Sequence, residues 1–218
     1  MTALPRYPGY DVLQKRDTPS WDDVTRNVID ERLATPPDPR FFDPVEWRAL
    51  CALCASIVPH VPQNSQRPPV PIAALVDARL AKNIGDGYRD ARLPPMRDAW
   101  RIGLRALDAE SRARHELPFA SIDDKARRAL LIDMQQGKLG SGEWQAMPPA
   151  LFFTERVLHD VCGMYYSHPD AWSEIGFGGP ANPRGYVRMV ANRRDPWEAA
   201  EAKSGQEEKA SRENRRVR

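Results

Sequence analysis

The chain has 218 residues, of which 41% are hydrophobic and 28% are charged, so it is long enough to fold around a core of ordinary size. Its net charge of +2 arises within residues 193–218, because the preceding part contains 24 basic and 24 acidic side chains, and a neutral body argues against nucleic-acid binding. Three cysteines do not make a disulfide framework, no apolar run approaches the length of a membrane-spanning helix, and the first 30 residues lack the apolar segment of a secretory signal.

The N-terminal part is predicted to be an irregular arm followed by a helix. Residues 1–17 contain proline, glycine and tyrosine without helical periodicity. Ser20 is suited to cap a helix whose first turn carries acidic residues, and the prolines within residues 35–40 end that helix. We expect its buried stripe to consist of Trp21, Val24, Val28 and Leu33.

The second predicted helix has a complete start signal. Asp43 can cap it, Pro44 suits the first helical position, and Glu46 occupies the reciprocal position of a capping box. Apolar side chains follow at spacings of three and four, which predicts a single buried face. These side chains are Trp47, Leu50, Cys51, Cys54, Ile57 and Val58.

Further helices are predicted from capping residues, apolar periodicity and glycine or proline breaks, and no strand pattern is present. The sequence therefore predicts an all-α fold of about six or seven helices with proline-rich connections. We expect an arm at 1–17, one compact helical domain at 18–192 and a charged, partly disordered tail at 193–218, with the disorder in 203–218. The remaining predicted helices lie at about 72–83, 95–114, 121–136 and 148–167, and a short turn is predicted at 170–175.

Cysteine and histidine residues offer one candidate metal site. Cys51 and Cys54, together with His159 and Cys162, have the composition of a Cys₃His zinc site, with each pair three residues apart on a helix. The favoured interpretation is core packing, because the first two cysteines lie on the apolar stripe of their helix. The alternative is a stand-alone helical metalloprotein or enzyme. His159 and Asp160 are not expected to form a dyad, because adjacent side chains on a helix diverge by about 100°.

A glycine- and proline-rich stretch, EIGFGGPANPRGY, is called here the Gly/Pro loop (residues 174–186). A phosphate cradle is not expected, because Pro180 and Pro183 remove two backbone donors and no strand precedes the loop. The prolines predict a stiff loop, which either docks on another protein or packs across its own helices. The candidate partner-binding residues in and before the loop are Tyr165, Tyr166, Trp172, Phe177, Arg184 and Tyr186.

Four segments carry a family resemblance. They are RPPVPIAALVDARL (67–80), DGYRDARLPPMRDAW (86–100), MPPALFFTERVLHDV (147–161) and YYSHPDAWSEIGFGGPANPRGYVR (165–188). On these segments the chain resembles the gluconate 2-dehydrogenase subunit 3 family, and the similarity extends from Tyr7 to about Ala200.

The resemblance implies a small helical subunit of a bacterial, membrane-associated sugar or sugar-acid dehydrogenase. In such complexes a large flavoprotein of the glucose-methanol-choline oxidoreductase type binds FAD and performs the oxidation, and a cytochrome c subunit often passes the electrons onward. The small subunit is implied to be non-catalytic and chaperone-like, supporting the folding, stability and export of the large one. We therefore expect no catalytic, cofactor or metal site in this chain. It is expected in the periplasm, by co-export with a partner carrying a twin-arginine signal, or in the cytoplasm.

Overall fold

A computed structural model describes residues 5–59, 69–182, 185, 189 and 194–217. Over these residues the chain is helical, and the only pairing of extended backbone is an isolated bridge between Trp21 and Asn182. The predicted all-α class is confirmed. The helices are α1 Asp23–Leu33, α2 Pro44–Ile57, α3 Ile72–Ala81, α4 Met96–His115, α5 Asp124–Gln135, α6 Pro149–Phe152, α7 His159–Tyr166, α8 Pro169–Ile175 and α9 Glu207–Asn214.

Short non-α turns connect several of these helices. A 3₁₀ turn at Val12–Lys15 lies within the N-terminal arm, and two more lie at Phe119–Ser121 and Gly142–Trp144. A π-helical segment, Phe153–Leu158, joins α6 to α7, so the predicted helix at 148–167 exists but has an altered register in its middle.

The chain divides into two compact units, each built from segments that are distant in sequence. The first unit comprises Met1–Ala34, Val61–Val70 and Tyr165–Arg218, and the second comprises Thr35–His60 and Pro71–Met164. The boundaries predicted at residues 17 and 192 remain predictions.

The core of the first unit is built from both ends of the chain. Its buried cluster combines arm, α1, α8 and tail residues, namely Tyr10, Val12, Trp21, Ile29, Trp172 and Val217. Asn214, at the end of α9, donates to the carbonyls of Pro8 and Ala200 and accepts from the Ala200 amide. The predicted disorder of 203–218 is therefore wrong for α9. The buried Asn214 side chain and the apolar Val217 side chain hold this charged segment against the arm.

The predicted buried stripe of α1 is also wrong. The cap is Asp22, which accepts from the Thr25 amide, so the helix begins later than Ser20 predicts. Ile29 is the buried residue of the helix, whereas three of the four stripe residues, Val24, Val28 and Leu33, are exposed. Trp21 is buried, but it precedes the helix and enters the core independently of the α1 face.

The second unit packs α2, α4 and α5 with the α6–π segment. The capping box of α2 is confirmed, since Asp43 accepts from the Val45 and Glu46 amides and Glu46 accepts from the Asp43 amide. The predicted inner face of α4 is confirmed as well, because Trp100, Leu104 and Leu107 are buried.

Candidate functional site

The Gly/Pro loop, over its described residues, packs onto the N-terminal arm of its own unit. Gly176 ends α8 in the left-handed conformation at φ +70°, and a Cβ there would lie 2.5 Å from the Tyr7 ring. Asn182 donates to Asp22 at 2.5 Å and forms the isolated bridge with Trp21. Lys15 of the arm also donates to the Gly178 carbonyl at 3.4 Å. The described part of the loop is thus an internal clasp that holds the arm and the residues leading into α1.

The partner-binding candidates differ in accessibility. Trp172 is 4% exposed and its ring packs edge-on against Phe177, with the centroids 5.8 Å apart, so its ring lies in the core rather than on the surface. Tyr166 is 53% exposed and Phe177 40% exposed, and both can contact another molecule. Two further candidates, Arg184 and Tyr186, lie outside the described residues.

Tyr165 is engaged within its own unit. Its hydroxyl donates to Glu174 at 2.6 Å, and its ring lies edge-on to that of Tyr166. Burial, followed by this contact with a carboxylate, raises the pKa of the Tyr165 phenol. Tyr165 therefore remains protonated at neutral pH, and its hydroxyl is held by Glu174 of α8.

The four candidate zinc ligands do not come together. Among the described residues, which include all four, no three of Cys51, Cys54, His159 and Cys162 have ligand atoms within 4.8 Å of one another. Burial raises the pKa of the Cys54 thiol strongly and that of Cys51 as well, so neither is a thiolate at neutral pH. Cys54 is thus a buried core residue of α2, as predicted, whereas Cys51 is only half-buried on the same helix. Neither thiol is activated as a metal ligand or a nucleophile.

His159 and Asp160 are hydrogen-bonded, contrary to the prediction. The His159 Nδ1 lies 3.0 Å from an Asp160 carboxylate oxygen, and the Trp100 indole donates to the other oxygen at 2.8 Å. The 100° divergence applies to the Cα–Cβ directions, but the imidazole edge extends further and turns back toward the carboxylate. Asp160 is buried, and these contacts give its two carboxylate oxygens hydrogen-bond partners.

Two arginines complete this cluster. Arg79 and Arg156 both pair with Asp86, and Arg79 also lies 3.5 Å from Asp160. Burial alone would raise the pKa of Asp86, but the hydrogen bonds from Arg156 and Arg79 outweigh it and lower that pKa. The sequence did not reveal this cluster, because its members come from α3, the following loop and the π–α7 junction.

The cluster has the ligand types of a cation site but the wrong electrostatics. Asp86, His159 and Asp160 offer ligand atoms within 4.8 Å of one another. Two guanidinium groups already neutralise the two carboxylates, and they would repel a metal ion at the same place. The arrangement instead fixes the loop that carries Asp86.

A cavity of about 300 Å³ lies between α2 and α4 in the second unit. Its lining includes the aliphatic side chains Val45, Ala49 and Leu104. The charged groups of the lining are largely paired internally, since Arg105 donates to Glu46 at 2.9 Å and Arg112 donates to Asp108 at 2.9 Å. The Arg105–Glu46 pair joins α4 to α2, whereas the Arg112–Asp108 pair lies within α4.

Comparison with known proteins adds one positive finding. The family model for gluconate 2-dehydrogenase subunit 3 matches residues 44–179. No curated protein and no solved structure matches the chain. Within the described part of the chain, no helix combines the length and apolarity needed to cross a bilayer.

Proposed function

Because the chain belongs to the gluconate 2-dehydrogenase subunit 3 family, and is thus an accessory subunit of a dehydrogenase complex, we propose that it is the non-catalytic small subunit of a flavin-dependent enzyme. Its role is to support the folding and stability of a large flavoprotein of the glucose-methanol-choline type. The match over residues 44–179 is the observation that carries this proposal.

The chemistry of the buried ionisable groups supports an accessory role. Asp77 accepts from the backbone amides of residues 40–42. Glu110 accepts from the amides of residues 140 and 141 and from the Trp144 indole. Asp160 is held by Trp100 and His159. Each carboxylate is occupied in holding loops or helices together, which is a structural use.

The cofactors follow from the same proposal. FAD belongs to the large subunit, and where the complex contains a cytochrome c subunit, haem belongs to that third chain. Export is proposed to occur with the large subunit, under a twin-arginine signal on that partner. The small subunit then acts before and during assembly by covering surface that the flavoprotein cannot leave exposed.

The test is co-expression of a tagged flavoprotein, encoded beside the gene for this chain, with and without the chain. We expect the two proteins to elute together at equal stoichiometry, and the yield of soluble, FAD-loaded flavoprotein to rise when this chain is present. An unchanged flavoprotein yield and activity, with this chain eluting alone as a monomer, would refute the proposal.

A further inference from the structure

The segment between α3 and α4 presents large apolar side chains to solvent. Every residue from 82 to 89 is exposed, and we call this segment the 82–89 loop. Tyr88 is 84% exposed and Ile84 is 52% exposed, and Tyr88 is the most exposed large hydrophobic residue of the described part of the chain. Tyrosine is enriched among residues that dominate binding energy at protein interfaces.

The base of the 82–89 loop is anchored. Asp86 accepts from Arg156 at 2.7 Å and also pairs with Arg79. Arg79 in turn donates through Nε to the Ile84 carbonyl at 3.2 Å, and the Ile84 amide donates back to the Arg79 carbonyl at 3.2 Å. A loop held in one conformation loses little entropy on binding, so its exposed side chains are ready to contact a partner.

The charged groups that hold the loop are called here the anchoring cluster: Arg79, Asp86, Arg156, His159 and Asp160. Arg156 and Asp160 are buried, and Arg156 lies in the π-helical segment, a local geometry that recurs at functional sites. A buried ion pair often stabilises a fold no more than an apolar replacement does. The geometry therefore favours a positioning role, in which the cluster presents the 82–89 loop.

The charged residues next to Tyr88 indicate what kind of partner surface would complement the loop. Asp86 is neutralised by its arginines, and Asp90 is paired with Arg92 at 2.8 Å. Arg89 donates to the Leu93 carbonyl at 2.6 Å, and none of the described carboxylates forms an ion pair with it. The tip of the loop thus combines an aromatic side chain with an uncompensated positive charge, which fits an apolar recess bordered by carboxylates.

We propose that Ile84, Tyr88 and Arg89 form the surface on which the large flavoprotein subunit docks. This inference rests on the proposed function, and it names the surface and the chemistry of its partner. The loop lies inside the segment matched by the family model, whereas the described part of the Gly/Pro loop is occupied with its own arm. The flavoprotein is expected to offer an apolar recess for Tyr88 with acidic side chains at its rim.

The experiment measures the affinity of the purified full chain for the flavoprotein encoded beside it, by calorimetry or biosensor. Tyr88→Ala is expected to weaken binding by about tenfold or more. Val24→Ala is the matched control, since Val24 is 70% exposed on α1, and its affinity should stay within about twofold of the unsubstituted chain. Both variants should retain the original melting temperature, because neither removes a buried contact.

Charge reversal provides a second measurement. Arg89→Glu is expected to slow association and to remove most of its salt dependence, whereas Arg89→Gln should show a smaller effect. An affinity of Tyr88→Ala equal to that of the Val24→Ala control overturns the docking surface and leaves the proposed function intact. Complete absence of binding by the unsubstituted chain overturns both. If Tyr88→Ala abolishes self-association of the chain and leaves flavoprotein binding unchanged, the surface is a contact between copies and the inference is wrong.

Discussion

Substitution of Gly103 by alanine tests the packing of the second unit. Gly103 lies on the inner face of α4, and a Cβ at this position would be 2.2 Å from the Phe152 Cζ and 2.3 Å from its Cε1. Carbon atoms in contact are about 3.5–4.0 Å apart, so the Phe152 ring would have to move by more than about 1 Å. The ring lies between Trp100, with centroids 5.5 Å apart, and Trp144, at 6.0 Å, so it has little room to move.

The expected magnitude follows from two opposing effects. Overpacking of a core destabilises by about 1–3 kcal/mol, and an overlap of this size belongs at or above the upper end. Replacing glycine by alanine in a helix stabilises by about 1 kcal/mol. We therefore expect Gly103→Ala to lower the free energy of unfolding by about 2 kcal/mol.

Gly163 is the matched control for this substitution. It lies on the exposed side of α7, and no atom comes within 4 Å of a Cβ placed there. Gly163→Ala should therefore raise the free energy of unfolding by about 0.5–1 kcal/mol. Urea denaturation followed by circular dichroism measures both variants. A Gly103→Ala chain as stable as Gly163→Ala would refute the close α4–α6 packing. Adding Phe152→Leu to Gly103→Ala should recover part of the loss, because the smaller side chain removes the overlap.

Three further predictions concern the ends of the fold and the cysteines. Burial, aided by Arg32 and opposed by Asp170, lowers the pKa of His168, which caps α8 by accepting from the Asp170 amide. The stabilisation that the neutral His168 provides should be complete above the pKa of about 6.5 that histidine has in the unfolded chain, and it should decline as the pH falls through the lower pKa of the folded state. His168→Asn should therefore flatten this part of the plot of melting temperature against pH. Asn214→Ala should destabilise the chain by about 2 kcal/mol or more in chemical denaturation, because three backbone groups lose a buried partner. Cys54 should react with a thiol reagent only on unfolding, and elemental analysis should find no stoichiometric zinc; rapid reaction in the native state or bound zinc would contradict the core assignment.

The helices of the second unit were largely predictable because their signals are local. The capping box at Asp43, Pro44 and Glu46 and the apolar stripe around Trp100 depend on residues within about one to three turns, and the structure confirms both. Local signals were less decisive for α1, where Ser20 and Asp22 are both competent caps. Taking Ser20 as the cap led to a predicted buried stripe that assigned the exposed Val24, Val28 and Leu33 to the core.

The anchoring cluster could not be predicted from spacing. Asp86, Arg79 and Arg156 are far apart in the chain or separated by a loop, and any of them could equally have been a solvated surface charge. The four candidate zinc ligands remain apart for the same reason. Residue types and i, i+3 spacings indicate which groups can share a helix face, but they do not determine which helices bring those faces together.

The sequence by itself determined the all-α class, most helix positions in the second unit and, through its long motifs, the family. Only the tertiary structure decided that the described part of the Gly/Pro loop clasps the arm, that the charged tail contains α9, and that Tyr88 is exposed on an anchored loop. Helix formation and capping depend on neighbours within a few residues. Burial, clasping and presentation of a loop depend on contacts between residues distant in the chain, and composition and periodicity do not specify those contacts.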